Sequence, residues 1–77
     1  MIIKMSEMES NTVACIKELT HKGGMRRRLC DIGFSCGSAV KYLGRAPLGD
    51  PMAFYVKGSI IALRKCDADK INVETEI

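Results

Sequence analysis

The run Gly24-Met25-Arg26-Arg27-Arg28-Leu29-Cys30-Asp31-Ile32-Gly33-Phe34 constrains the fold more than any other stretch of the chain. It is the one convincing helix signal: Met25, Leu29 and Ile32 stand at i, i+4 and i+7, on a single face of a 3.6-residue helix. Gly33 follows the last apolar position, where helices commonly close on a left-handed residue. Phe34 then falls where an apolar side chain packs back onto the last turn. A helix of about two and a half turns is marginal alone. Its stripe must therefore pack on the remainder of the chain, and the remainder reads as strands.

Thr12–Leu19 is rich in β-branched and small apolar residues and predicts a strand, with a glycine-bearing loop over 20–24 leading into the helix. Cys36-Gly37 reads as a turn and Ser38–Leu43 as a second strand. Gly44–Pro51 holds two prolines and two glycines and predicts a loop. Met52–Val56 and Ser59–Arg64, joined by Lys57-Gly58, give a hairpin signal. Asp67–Lys70 reads as one helical turn capped by Asp67, and Ile71–Thr75 alternates as a last strand. Residues 1–11 read as mostly polar, frayed at the start, with one turn over Met5-Ser6-Glu7-Met8. The expected fold class is mostly β: about five short antiparallel strands in a small barrel or curled sheet, with one short α-helix.

A chain of 77 residues supports one domain. Its 47% hydrophobic content argues for a folded core rather than disorder. No apolar run reaches the roughly 18 residues of a membrane span. The start lacks a long apolar region and a small-residue cleavage site, so a cytoplasmic location is expected. In that compartment Cys15, Cys30, Cys36 and Cys66 are expected as free thiols. The balance of 12 basic and 9 acidic residues, a net +3, permits an acidic partner without demanding nucleic acid.

The segments from Leu29 onward carry a resemblance. Leu29-Cys30-Asp31-Ile32-Gly33-Phe34, followed by Gly37, resembles the R-L-x-D-L-G block of the FeoA family of ferrous iron transport accessory proteins. Ala46-Pro47-Leu48-Gly49-Asp50-Pro51 resembles its A-P-L-G-D-P loop, and Gly58-Ser59-Ile60-Ile61-Ala62-Leu63-Arg64 its G-x-x-(I/L)-A-L-R strand. Asp69-Lys70-Ile71-Asn72-Val73 resembles its ending. These blocks lie in order in a motif-bearing part, residues 12–74, of a single domain spanning 1–77. The resemblance implies an SH3-like β-barrel that acts with FeoB, a membrane Fe(II) transporter with a cytoplasmic GTPase domain. It also implies kinship to the C-terminal domain of iron- and manganese-dependent repressors, although no helix-turn-helix is expected ahead of the barrel. The family's opening L-x-x-L-x-x-G is replaced by Met5-Ser6-Glu7-Met8-Glu9-Ser10-Asn11, so a different N-terminal turn is expected.

The residues name no catalyst: His21 is the one histidine, and no triad or phosphate loop is present. No cofactor is expected. Four thiols and an imidazole offer soft ligands, but Cys30 and Cys36 lie six apart and straddle the helix end, unlike a paired structural site. The cysteines read as buried or half-buried small hydrophobes; the kinship adds weak transition-metal binding without naming ligands. The candidate partner-binding residues are Arg26, Arg27, Arg28, Pro47, Leu48 and Lys57. Three consecutive helical arginines span about 200° of surface, and read either as a solvated face or as a docking patch for acidic side chains. Leu48, between Pro47 and Gly49, is either a plug tucked into the core or an anchor for a partner. The family resemblance makes that partner a FeoB-type transporter, through its GTPase domain or its membrane core, with membrane contact only through it. A small basic barrel binding nucleic acid or another acidic partner is the alternative.

Overall fold

A computed structural model describes residues 1–75; residues 76–77 of the expected domain lie outside the described residues. The strands are β1 (Ile2–Lys4), β2 (Val13–Leu19), β3 (Ala39–Arg45), β4 (Met52–Val56), β5 (Ser59–Leu63) and β6 (Ile71–Glu74). A 3-10 turn covers Met5–Glu7, α1 spans Gly23–Ile32 and α2 spans Lys65–Ala68. The described strands form one antiparallel sheet in the order β1-β6-β2-β3-β4-β5.

The expectation of about five strands missed β1, which pairs with β6 through Ile2↔Glu74, Ile3↔Val73 and Lys4↔Asn72. A three-residue strand has no periodicity of its own and exists because β6 offers it a ladder. The start of the chain is thus paired, not frayed. Backbone pairing does not close the sheet: β1 and β5 are its margins. Side chains cover the inner face instead. Met5 and Met8 from the first turn, Leu29 and Phe34 from α1 and its end, and Ala68 from α2 join one cluster with Ile16, Tyr42, Phe54 and Val73 of the sheet.

Alternation builds that face. In β4, Met52, Phe54 and Val56 are buried while Tyr55 is exposed. In β2, Ala14, Ile16 and Leu19 are buried, an odd step that a flat strand forbids. A bulge between Ile16 and Glu18 supplies the extra residue and returns Leu19 to the core. A second bulge lies in β3 between Tyr42 and Gly44. Phe54 is the centre of the aromatic packing, edge-on to Phe34 with ring centroids 6.3 Å apart and tilted against Tyr42 at 5.2 Å.

Helix α1 ends as its sequence demands. Gly33 has φ +120°, its N–H donates to the Cys30 carbonyl, and the Phe34 N–H donates to Leu29. Leu29 is buried and Met25 packs on the core, but Ile32 is 40% exposed, against the expected stripe. Cys30 packs on the cluster in its place. The buried face of the helix is thus centred on Leu29, with Met25 and Cys30 beside it. Asn11, standing where the family has glycine, itself adopts a left-handed φ of +66°, which asparagine tolerates. Met5 and Met8, the apolar residues of the replaced phrase, are buried.

Asp67 does not cap α2. The helix starts at Lys65, and the Lys65 N–H donates over 2.7 Å to Oδ1 of Asp50, in the loop fifteen residues earlier. Asp50→Ala is expected to lower stability by about 0.5–2 kcal/mol, the cost of a lost cap. A shifted urea midpoint at unchanged slope would show it, with Asp50→Asn largely retaining the bond.

Candidate partner-docking face

The two glycines and two prolines of 44–51 produce a loop tied at both ends. The Ala46 N–H donates to the Pro51 carbonyl over 3.0 Å, the Gly49 N–H to Ala46 over 2.8 Å, and Asp50 is held by α2. At its tip Leu48 is 97% exposed and Pro47 is exposed. Leu48 is therefore no plug: the frame is fixed and the side chain projects from it. Lys57 sits at the other end of the β4–β5 hairpin, at the first of two left-handed positions (φ +47°, then Gly58 at +83°) that suit a two-residue turn. Its aliphatic stem lies where a Cβ on Gly33 would come within 3.4 Å of it. The turn thus packs against the end of α1.

The arginines divide. Arg26 donates from Nη1 to the Leu19 carbonyl over 2.6 Å, fastening α1 to the end of β2. Arg27 and Arg28 are exposed. The six candidates do not form one patch: Leu48 and Lys57 lie at opposite ends of the hairpin, and Arg26 is engaged within the domain.

Between those ends lies a face that the candidate residues missed. Across the sheet Lys41 pairs with Tyr55 and Tyr55 with Ile60, while Ala53 pairs with Ala62. Paired residues share a face, so these side chains all point outward. Tyr55 is 46% and Ile60 68% exposed, and Ala62 is exposed. The alternation of Met52–Val56, carried across the Lys57-Gly58 turn, was the signal that could have found them. The surroundings are cationic. Residues 39–65 contain Lys41, Arg45, Lys57, Arg64 and Lys65 against Asp50 alone, whereas the rest of the chain holds seven cations and eight acids.

The half of the sheet made by β1, β6 and β2 carries pairs that fasten the frame. Lys17 and Glu74 meet at 2.9 Å across β2 and β6. That hydrogen bond and the opposed charges hold the Glu74 carboxyl below its ordinary range and raise the Lys17 ammonium. The Ser6 hydroxyl donates to Asp69, and this bond, with help from Lys65, holds Asp69 low. A concavity of about 630 Å³ runs between Ile3, Met8, Val13 and Ala39, rimmed by Glu7, Glu9 and Glu74. His21 is buried with its Nε2 3.7 Å from Asp67 Oδ1, and neither ring nitrogen has a hydrogen-bond partner. Cys15 and Cys30 are half-buried as expected, but Cys36 and Cys66 are exposed because they fall in a turn and on the outside of α2; all four are free. Among the described residues no three His, Cys, Asp or Glu side chains converge as a metal site, and no described helix is long and apolar enough to cross a membrane.

The FeoA domain model matches residues 3–75. The chain belongs to the FeoA domain family. This FeoA domain is 32% identical over 72 residues to an Fe(2+) transport protein A/Fe(2+) transporter FeoB fusion protein of Porphyromonas gingivalis, covering 94% of the chain but 8% of that relative. It superposes with TM-score 0.90 on iron(II) transport protein A of Clostridium thermocellum, at 35% identity over 96% of this chain and 46% of that one. It therefore spans under half the length of each of these two relatives. The Stenotrophomonas maltophilia FeoA, described as a procaryotic SH3 domain protein and solved with zinc, matches with TM-score 0.81 and 26% identity, over 94% of this chain and 89% of that one. The SH3-like, mostly β fold class expected from the sequence holds.

Proposed function

We propose that this FeoA domain is a non-enzymatic, cytoplasmic adaptor of ferrous iron uptake that works by docking onto a FeoB-type transporter. The observation that carries the reading is Leu48: an almost fully exposed leucine on a loop tethered by three hydrogen bonds. Holding an apolar anchor in a fixed frame lowers the entropy lost on binding. The family membership directs the reading to iron transport. The fusion of both components in one relative supplies the partner, because a covalent link keeps two binding surfaces at high effective concentration.

The test is capture of the transporter's cytoplasmic region on immobilised protein. Leu48→Ser is expected to weaken binding by about tenfold or more, as for an interface anchor, while shifting stability by no more than about 0.5 kcal/mol. Arg27→Glu is expected to change the association rate and its salt dependence if the free arginines steer docking. Unchanged binding in Leu48→Ser would remove the loop from the interface. Binding to an oligonucleotide with a steep salt dependence, and none to the transporter, would replace the reading with nucleic-acid recognition.

A further inference from the structure

Among the described residues, no strand pairs with the outer margin of the sheet at β5. Its five residues pair with β4 in unbroken register, with no bulge and no proline. Sheet edges are usually blunted by such devices or by a cover. Here Ser59, Ile60 and Ala62 are exposed. The other margin, β1, is only three residues long.

The peptide groups of β5 face the right way to receive another strand. In an antiparallel ladder, bonded and non-bonded pairs alternate. Counting from the two-residue turn, Val56–Ser59 is the bonded closing pair, so Tyr55–Ile60 and Ala53–Ala62 are non-bonded. The N–H and C=O of Ile60 and Ala62 therefore point away from β4. Their side chains turn to the outer face beside Tyr55 and Ala53. The margin thus presents backbone donors and acceptors, an apolar middle, and a cation at each end, Lys57 and Arg64.

We infer that β5 is a strand-addition site for an extended acidic peptide: a partner segment with apolar residues at alternate positions and an acidic residue at each end. Main-chain bonds would supply affinity and the alternate side chains specificity, as in other strand-addition complexes. Charge selects this occupant over a second copy of the chain. Antiparallel self-pairing of Ser59–Leu63 would bring the Lys57 end of each copy up to the Arg64-Lys65 end of the other, gathering cations at both ends of the joint ladder. The inference rests on the docking reading only for the question of which protein supplies the segment.

The experiment titrates the ¹⁵N-labelled protein with the peptide acetyl-Glu-Val-Thr-Val-Thr-Val-Glu-amide, and in parallel with its counterpart bearing lysine at both ends. Expected are shift changes and slowed amide exchange at Ile60 and Ala62, with the lysine peptide at least about tenfold weaker. Ile60→Asp and Ala62→Asp, each checked for an otherwise unchanged spectrum, are expected to lose about tenfold or more in affinity for the acidic peptide. The inference is overturned by absence of shifts at millimolar peptide, by equal binding of the two peptides, or by shifts centred on the Leu48 loop or the arginines. It is equally overturned if the protein self-associates in sedimentation and Ile60→Asp abolishes this, since the occupant is then a second copy. Transporter capture separates the two readings. Loss of capture in Leu48→Ser with full capture in Ile60→Asp keeps the adaptor reading and rejects the β5 site. Saturable acidic-peptide binding at β5 without transporter capture keeps the site and rejects the named partner.

Discussion

Phe54→Ala is expected to cost about 3–5 kcal/mol, the range for removing a buried aromatic side chain. Phe54 is fully buried, lies on β4 between β3 and β5, and packs on both other core rings. Its removal opens a void bordered by Phe34 and Tyr42, and neither can fill it without leaving its own site. A chain of this size has a total stability of about 4–12 kcal/mol by the usual per-residue figure, so this one change consumes much of it. The check is chemical denaturation followed by near-ultraviolet circular dichroism. Cooperative unfolding with a loss below about 1 kcal/mol would show that the three rings do not form the centre of the core.

Leu29→Ala is expected to cost about 2–5 kcal/mol, and to act differently. Leu29 is the one fully buried side chain of α1, and its carbonyl accepts the Phe34 N–H that closes the helix. Met25 and Cys30 are only partly buried, so they hold the helix weakly once Leu29 is gone. Amide exchange in α1 should therefore speed up more than exchange in β3 and β4, because the helix can lift while the sheet ladder persists. A uniform acceleration across all elements would instead mean that α1 and the sheet open as one unit. A loss under about 0.5 kcal/mol would show that the helix does not pack on the sheet.

The parts of the molecule that could be read in advance are those written locally. Met25, Leu29, Gly33 and Phe34 lie within ten residues and specify a helix together with its closure. The hairpin around Lys57-Gly58 is equally local, and both strands and the turn stand where the alternation put them. What stayed hidden depends on partners far along the chain. β1 needs β6, some seventy residues away. The true cap of α2 is Asp50, and nothing near Asp67 signals that another carboxylate has taken its place. The outward position of Ile32 depends on how α1 seats on the sheet, a tertiary effect that no helical wheel contains. The candidate site divides in the same way. Turn chemistry marked the loop of Leu48, leaving plug and anchor open, and the structure decides that it projects. The face of Tyr55, Ile60 and Ala62 went unnoticed because each strand was read singly. Only the cross-strand register puts these residues side by side on the same exposed surface.

One consequence follows from the pairing of β1 with β6. The Met1 carbonyl accepts the Thr75 N–H, and the Met1 amino group donates to the Thr75 carbonyl. The two ends of the described chain thus emerge side by side at one border of the sheet, and β5 forms the border farthest from them in strand order. A domain whose two described ends lie together can be spliced into a longer polypeptide at either end, or inserted within one, with both connections made at the same border.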